Sequence, residues 1–278
     1  MKTKITAIGD VGFRSGAGER IPAASEKRFS TSSSFYMHEV NHGTTRTKRR
    51  SLGGYHYLMR CALSLLLAAL ASASFASAKG KAKKAATEKD GGTALAKPDV
   101  TTTYGPVADR QKVNLYLAPA SRPCPVFLLA HSNGETFNDV LQVLVDICKS
   151  RGIAVVSWES VENLSRGKID TLWADSKVIL QWIKDPEMAR QYRFDPTQII
   201  LYGGSRGSWA SWQIGHSGDP AIKGLFLYRA LPRADSTMPE VYEMITKKSP
   251  PALFMYHTTD TKGTTHDMRN GQLAVQKY

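Results

Sequence analysis

The segment Ile199–Trp209 has the sequence IILYGGSRGSW and is the most informative part of the chain. Its first four residues have high strand propensity, and the residues from Ser208 onward are typical of the first turns of a helix. Between them lies the pattern G-x-S-x-G, which in a strand–turn–helix context lifts a serine hydroxyl above the end of a parallel sheet. The turn around Ser205 is tight, so the residues two positions before and after it must be small, and both are glycine. The segment predicts Ser205 as a nucleophile, with an ordinary glycine-rich turn as the alternative.

A phosphate-binding loop is the main rival for a glycine-rich turn between a strand and a helix. Such loops carry either the lysine of G-x-x-x-x-G-K-[ST] or the pattern G-x-G-x-x-G. Neither pattern occurs at this turn. The sequence therefore favours a serine at a strand–helix turn over a nucleotide site.

Strands alternate with helices on both sides of this segment. Helical spacing of apolar residues predicts one helix between Phe137 and Cys148 and another from Leu172 to Ile183. The second helix is predicted to be capped at Asp170 or Thr171 and to end at Asp185-Pro186. Asp195-Pro196 is predicted as a turn. This alternation predicts a parallel sheet covered on both faces, which is an α/β three-layer sandwich. The apolar runs predicted as strands are Val113–Leu117, Pro125–Ala130, Ile153–Trp158, Ile199–Tyr202, Gly224–Tyr228 and Ala252–Tyr256.

The net charge of +13 is concentrated in the N-terminal third of the 278-residue chain. Residues 1–98 hold 17 Lys and Arg against 6 Asp and Glu, whereas residues 99–278 hold 20 against 18. Nucleic-acid binding needs a basic surface on the folded part. The surplus there is only 2 charges, so the composition argues against a nucleic-acid partner.

The N-terminal region is predicted to precede the folded domain. Residues 1–58 are rich in Ser, Thr, Gly and basic side chains and are predicted to be disordered or an untranslated extension, with translation starting at Met59 or Met37. Residues 59–78 combine a positive residue, a short apolar run and an A-x-A site, which predicts a secretory signal peptide. The expected location is therefore outside the cytoplasm, periplasmic or extracellular.

Residues 79–109 are predicted to be a basic flexible linker ahead of the folded domain, residues 110–278. Within it, residues 79–97 could make weak electrostatic contact with an anionic wall or membrane surface. Export would permit a disulfide between Cys124 and Cys148, but two separate buried thiols are an equally good reading. No spacing of Cys and His indicates a metal, and no cofactor is expected.

The chain resembles the α/β-hydrolase superfamily, more loosely its secreted esterase and dienelactone-hydrolase-like branches, over about residues 110–278. The resemblance rests on the strand end His131-Ser132-Asn133-Gly134, the turn Gly203–Gly207 and the strand end His257-Thr258-Thr259-Asp260. It implies an ester hydrolase with a Ser…acid…His triad in that chain order and no cofactor.

Residue by residue, the resemblance implies Ser205 as nucleophile and the backbone N–H of Arg206 as one oxyanion donor. Asn133, in the loop after the earlier strand, is the expected second donor, although Ser132 stands where the family often has glycine. Asp260 matches the position of the acid, and Asp235 is a second candidate for it. For either aspartate the alternative is an ordinary loop or cap residue, and Asp260 is the preferred acid.

The histidine of the triad follows one more strand in the family, and the given sequence ends before such a strand. The expectation is a truncated hydrolase whose C-terminal strand is missing. His266, six residues after Asp260, is the nearby substitute for the base; a solvated or substrate-binding loop histidine is the alternative. His131 is expected to shape the oxyanion loop.

These observations predict a secreted serine hydrolase that cleaves a small-molecule or polymer-linked carboxylic ester through an acyl-enzyme on Ser205. The alternative is a non-catalytic binding or scaffolding protein on the same fold, since a serine without a base is a poor nucleophile.

Overall fold

The computed structural model describes residues 5–7, 35–40, 94–119, 121–160, 169–229, 239–257, 264 and 266–278. These residues form nine strands in one sheet, in the order β1-β2-β9-β8-β7-β5-β6-β4-β3. The strands are β1 (Ile5–Ala7), β2 (Phe35–Val40), β3 (Val100–Thr103), β4 (Lys112–Tyr116), β5 (Cys124–Ala130), β6 (Ala154–Trp158), β7 (Phe194–Gly204), β8 (Ile222–Tyr228) and β9 (Ala252–His257).

Five neighbouring strands in the middle of the sheet are parallel, in the order β6, β5, β7, β8 and β9. Antiparallel strands flank them on each side, β4 next to β6 and β2 next to β9. The helices are α1 (Gln142–Lys149), α2 (Ile169–Lys184), α3 (Pro186–Tyr192), α4 (Arg206–Gly215) and α5 (Met268–Lys277), with a 3₁₀ helix over Pro239–Met244. Because the strands that matter for the site are parallel, their carboxyl ends meet at one edge of the sheet.

Side chains of β5 alternate between two hydrophobic clusters, as the pleat of a strand requires. Val126 and Leu128 belong to the larger cluster, which includes apolar residues of helices α2, α4 and α5. Phe127 and Leu129 belong to the smaller cluster with Leu144 and other residues of α1. The predicted α/β architecture, a mostly parallel sheet with helices on both faces, is confirmed.

The two cysteines of the folded part are free and buried. Cys124 lies in the larger cluster and Cys148 in the smaller one, on opposite faces of the sheet. Burial raises the pKa of the Cys148 thiol to about 12, so it stays protonated at neutral pH. A disulfide between the two residues is therefore ruled out by their positions.

Several local predictions differ from the structure. The helix predicted to begin after Asp170 begins at Ile169, and the Asp185-Pro186 stop also starts α3, because the Asp185 side chain accepts from the backbone N–H of Glu187 and Met188. The segment Asp195-Pro196, predicted as a turn, lies inside β7. Helix α1 begins only at Gln142.

The N-terminal region also differs from its prediction in three places. Residues 100–103, within the predicted flexible linker 79–109, form β3, which pairs with β4. Residues 5–7 and 35–40, expected to be disordered, form β1 and β2. Strand β2 pairs antiparallel with β9 from Phe35 opposite His257 to Val40 opposite Ala252. Strand β9 is thus paired on both sides, with β2 and with β8. The predicted signal peptide, residues 59–78, lies outside the described residues.

His216 joins the end of α4 to the end of α5. Its ring lies in the interior, where Nδ1 donates to the Trp212 carbonyl at 2.8 Å and Nε2 accepts from the Tyr278 hydroxyl at 2.8 Å. Burial lowers the pKa of His216 from 6.5 to about 4, partly offset by the bond to Trp212. The imidazole is therefore neutral in the folded protein down to about that pH.

The lowered pKa of His216 predicts a loss of stability in mild acid. Between about pH 6.5 and pH 4 the unfolded chain binds a proton at this histidine that the folded protein does not, so the free energy of unfolding falls by about 3 kcal/mol as pH decreases. Urea unfolding of wild type and His216→Gln across this range should show a shallower pH dependence in the variant. Parallel curves would contradict the assignment.

Candidate active site

Ser205 occupies the turn between β7 and α4 in an unusual backbone conformation. Its φ is 47° and its ψ is −110°, a region that costs a non-glycine residue on the order of 1–3 kcal/mol. The turn is held by the Ser205 backbone N–H, which donates to the Tyr228 carbonyl at the end of β8 at 2.8 Å. Such strain exposes the side chain above the sheet, as the sequence pattern predicts for a nucleophile.

The two glycines of G-x-S-x-G allow backbones to approach very closely. A Cβ at Gly207 would lie 2.0 Å from the carbonyl oxygen of Ala130, and a Cβ at Gly203 would lie 2.4 Å from the carbonyl oxygen of Gly207. Neither position has room for a methyl group. The first turn of α4 therefore packs directly against the end of β5, which fixes the height of Ser205 above the sheet.

Ser205 and His266 lie within hydrogen-bonding distance. The Ser205 Oγ is 3.1 Å from the Nε2 of His266, which is half-buried just before α5. The backbone around His266 is itself tied down, because its N–H donates to the Thr264 hydroxyl and the next residue, Asp267, caps α5. An imidazole at this distance can take the serine proton, which is what an activated hydroxyl requires.

Of the other residues predicted for the triad and oxyanion hole, the structure describes Asn133 and Arg206 but neither aspartate. Asp260 and Asp235 both lie outside the described residues, so the acid remains a prediction. Asn133 is exposed in the loop after β5. The neighbouring Ser132 N–H donates to the Glu135 carboxylate at 3.0 Å, which anchors this loop. Arg206 is the first residue of α4, so its N–H belongs to the helix N-terminus, where negative charge is stabilised.

A charged cluster, consisting of Glu159, His131 and Arg206, lies beside the turn, with His131 and Arg206 buried and Glu159 half-buried. The Nε2 of His131 is 2.7 Å from Glu159 Oε1, and Arg206 Nη2 lies 3.0 Å from Nδ1 and 2.8 Å from Nε2 of His131. Arg206 Nη2 is also 3.5 Å from Glu159 Oε1. A carboxylate only accepts, so the contact with Glu159 needs a proton on Nε2 of His131. The Nδ1 of His131 also lies 2.9 Å from the Ser132 carbonyl oxygen, which likewise only accepts.

Glu159 is held in place from several directions. Its carboxylate accepts from the backbone N–H of Ser160 at 3.0 Å, and its carbonyl accepts from the Tyr104 hydroxyl at 2.6 Å. Burial alone would raise its pKa, but the hydrogen bond and charge of His131, the Ser160 N–H and the charge of Arg206 lower it below 4.5. The carboxylate is therefore ionised at neutral pH.

Glu159 was not among the site residues predicted from the sequence. Glu159 directly follows β6, and His131 directly follows β5. Because the carboxyl ends of neighbouring parallel strands meet at one edge, polar residues in these two positions were a usable signal. What the sequence could not supply is that a buried arginine on α4 lies against both.

Neither a metal-binding cluster nor a membrane-spanning helix is found among the described residues. Within those ranges no group of three or more His, Cys, Asp or Glu side chains is arranged to hold a metal ion. Among the same residues, no helix has the length and apolar character needed to cross a membrane.

Solved structures similar to this chain include two esterases. Esterase 2 of Thermogutta terrifontis, phosphoramylated by tabun, matches with 15% identity over 64% of this chain and 77% of that chain, with a TM-score of 0.49. The carboxylesterase of Bacillus cereus matches with 24% identity over 44% of this chain and 61% of that chain, with a TM-score of 0.34. No family model and no curated protein sequence matches. The chemistry of this chain is therefore inferred from its own site residues.

Proposed function

We propose that this protein is a serine hydrolase that cleaves carboxylic esters through an acyl-enzyme on Ser205. The observation that carries the proposal is the 3.1 Å separation between Ser205 Oγ and His266 Nε2. The strained turn and the helix N-terminus at Arg206 support it, because they present the nucleophile and a donor for developing negative charge on the same side.

The proposed reaction uses the chain's own groups in two half-reactions. His266 accepts the Ser205 proton while Oγ attacks the ester carbonyl, and the Arg206 N–H stabilises the resulting oxyanion. His266 then gives the proton to the leaving alkoxide, which departs as an alcohol and leaves the acyl-enzyme. Water, deprotonated by His266, releases the acid and restores Ser205. Asp260 is proposed to orient His266.

The substrate is proposed to be a small-molecule or polymer-linked ester, and the protein is proposed to be exported through residues 59–78. Cleavage after Ala78 would remove β1 and β2 and leave β9 at the sheet edge. Residues 79–97 are proposed to contribute weak attraction to anionic surfaces because of their lysines.

Labelling with a fluorophosphonate tests the proposal directly. An activated serine displaces fluoride from phosphorus and keeps the phosphonyl group, so the peptide that contains Ser205 should gain its mass within minutes. Acid-denatured protein is the control, because its serines have no neighbouring base. A native protein labelled no faster than this control would favour the alternative, a non-catalytic binding protein on the same fold.

A further inference from the structure

We propose that Glu159 and His131 are positioning residues, which hold Arg206 so that its backbone N–H faces the oxygen that becomes negative during acyl transfer. The inference rests on the proposed function, because it assigns the machinery that supports the same site. It adds Glu159, which the family resemblance did not supply, and it assigns to His131 a contact with the Arg206 side chain.

The backbone and the side chain of Arg206 have different roles in this arrangement. Its backbone begins α4 directly after Ser205, and its side chain is buried, with 3% of its surface exposed, against His131 and Glu159. Fixing the guanidinium at one end of the side chain restricts where the backbone N–H at the other end can lie. An oxyanion donor is useful only when it is pre-aligned, since misplacement by about 1 Å can cost on the order of 100-fold in rate.

The charged cluster completes a set of attachments that hold the turn from both sides. On the β8 side, the Ser205 N–H and the Ser208 hydroxyl both bond to the Tyr228 carbonyl. On the β5 and β6 side, the contacts are the close approach of Gly207 to Ala130 and the polar contacts of Arg206 with His131 and Glu159. Of the contacts on the β5 and β6 side, those of Arg206 with His131 and Glu159 can be weakened by substituting a side chain.

The ionised state of Glu159 matters because the groups it faces are a guanidinium and an imidazole N–H. A glutamine of the same size would remove the negative charge 3.5 Å from Arg206 and replace one carboxylate oxygen with an NH₂ donor. The neutral side chain would hold His131 and Arg206 less tightly. The expected consequence is a looser Arg206 backbone rather than a loss of substrate binding.

The test compares Glu159→Gln with a matched control, Asp219→Asn. Both carboxylates are similarly shielded, with 15% and 16% of the side chain exposed, and both pair with a cation. Asp219 lies just before β8, at the opposite edge of the sheet from Ser205. Esterase kinetics, affinity for a trifluoromethyl ketone that forms a tetrahedral adduct, and thermal unfolding are measured for both variants.

Glu159→Gln should lower kcat by about 10–100-fold and weaken the tetrahedral adduct in parallel, with KM changed by less than about 3-fold. Asp219→Asn should keep the wild-type kcat, whatever it does to the melting temperature. A wild-type kcat in Glu159→Gln, or an equal fall in kcat for Asp219→Asn, would overturn the inference.

A second variant covers the case in which Glu159→Gln does not fold. Arg206→Lys keeps the backbone N–H and the positive charge but lacks the planar guanidinium that lies against both ring nitrogens of His131. It should show the same loss in kcat with little change in KM, and an unchanged kcat would overturn the proposal. If wild-type protein hydrolyses no ester and Ser205 resists labelling, the proposed function itself fails, which is a different result.

Discussion

Ser205→Ala should lower kcat for ester hydrolysis by about 10⁴–10⁶-fold, the range seen when a serine hydrolase loses its nucleophile. The change removes only the Oγ that lies 3.1 Å from His266. The Ser205 hydroxyl makes no helix-capping bond, and alanine tolerates the positive φ about as poorly as serine does. The fold should therefore survive, and unfolding by heat should change by no more than a few degrees.

Ser217→Ala is the matched control for this experiment. The Ser217 hydroxyl donates to the Ile214 carbonyl just past the far end of α4, away from the turn that carries Ser205. This variant should keep wild-type kcat and KM. If Ser205→Ala were to retain more than about 1% of the wild-type kcat, the nucleophile would have to be another group.

The fold was largely predictable because buried parallel strands leave a strong sequence signal. Continuous apolar runs located β5, β6, β8 and β9, and the glycines around Ser205 located the end of β7. Parallel strands are covered on both faces, so their sequences stay apolar throughout. The glycine contacts show why this pattern is informative, since Gly207 meets the backbone of β5 and no larger residue fits.

The parts that sequence reasoning missed depend on contacts between distant segments. Residues 35–40 pair with β9, which lies more than 200 residues later in the chain, so their partner cannot be identified from the local sequence. Asp195-Pro196 has turn character, yet β5 pairs with this end of β7 through the contact of Cys124 with Phe194. At Asp195-Pro196, tertiary pairing overrode the local turn propensity.

The candidate site shows the same division. The nucleophile position was predictable from five residues, because the turn chemistry is local. The separation of His266 from Ser205 depends on the path between β9 and α5, and the cluster of Glu159 with His131 depends on the order of strands in the sheet. Sequence separation alone offered no measure of these distances. A solvated role for His266 was compatible with the sequence, whereas in the structure its Nε2 lies 3.1 Å from Ser205 Oγ.

His266→Ala should lower kcat by about as much as Ser205→Ala, on the order of 10⁴–10⁶-fold, because the two residues act as one unit. The decisive measurement is the double variant. When each single change already removes the whole proton-transfer step, the two losses are not additive, and the double variant should be no slower than either single variant.

The double-variant result separates His266 as the base from two other roles. If His266 only binds a substrate group, His266→Ala should raise KM and leave most of kcat. If it only shapes the loop before α5, His266→Gln should restore activity, because glutamine keeps most of the side-chain volume. Glutamine cannot replace a base, because an amide does not take up a proton at neutral pH. Equal loss in His266→Ala and His266→Gln, with no further loss on adding Ser205→Ala, is the outcome expected for a base. A fully additive double variant would exclude that role.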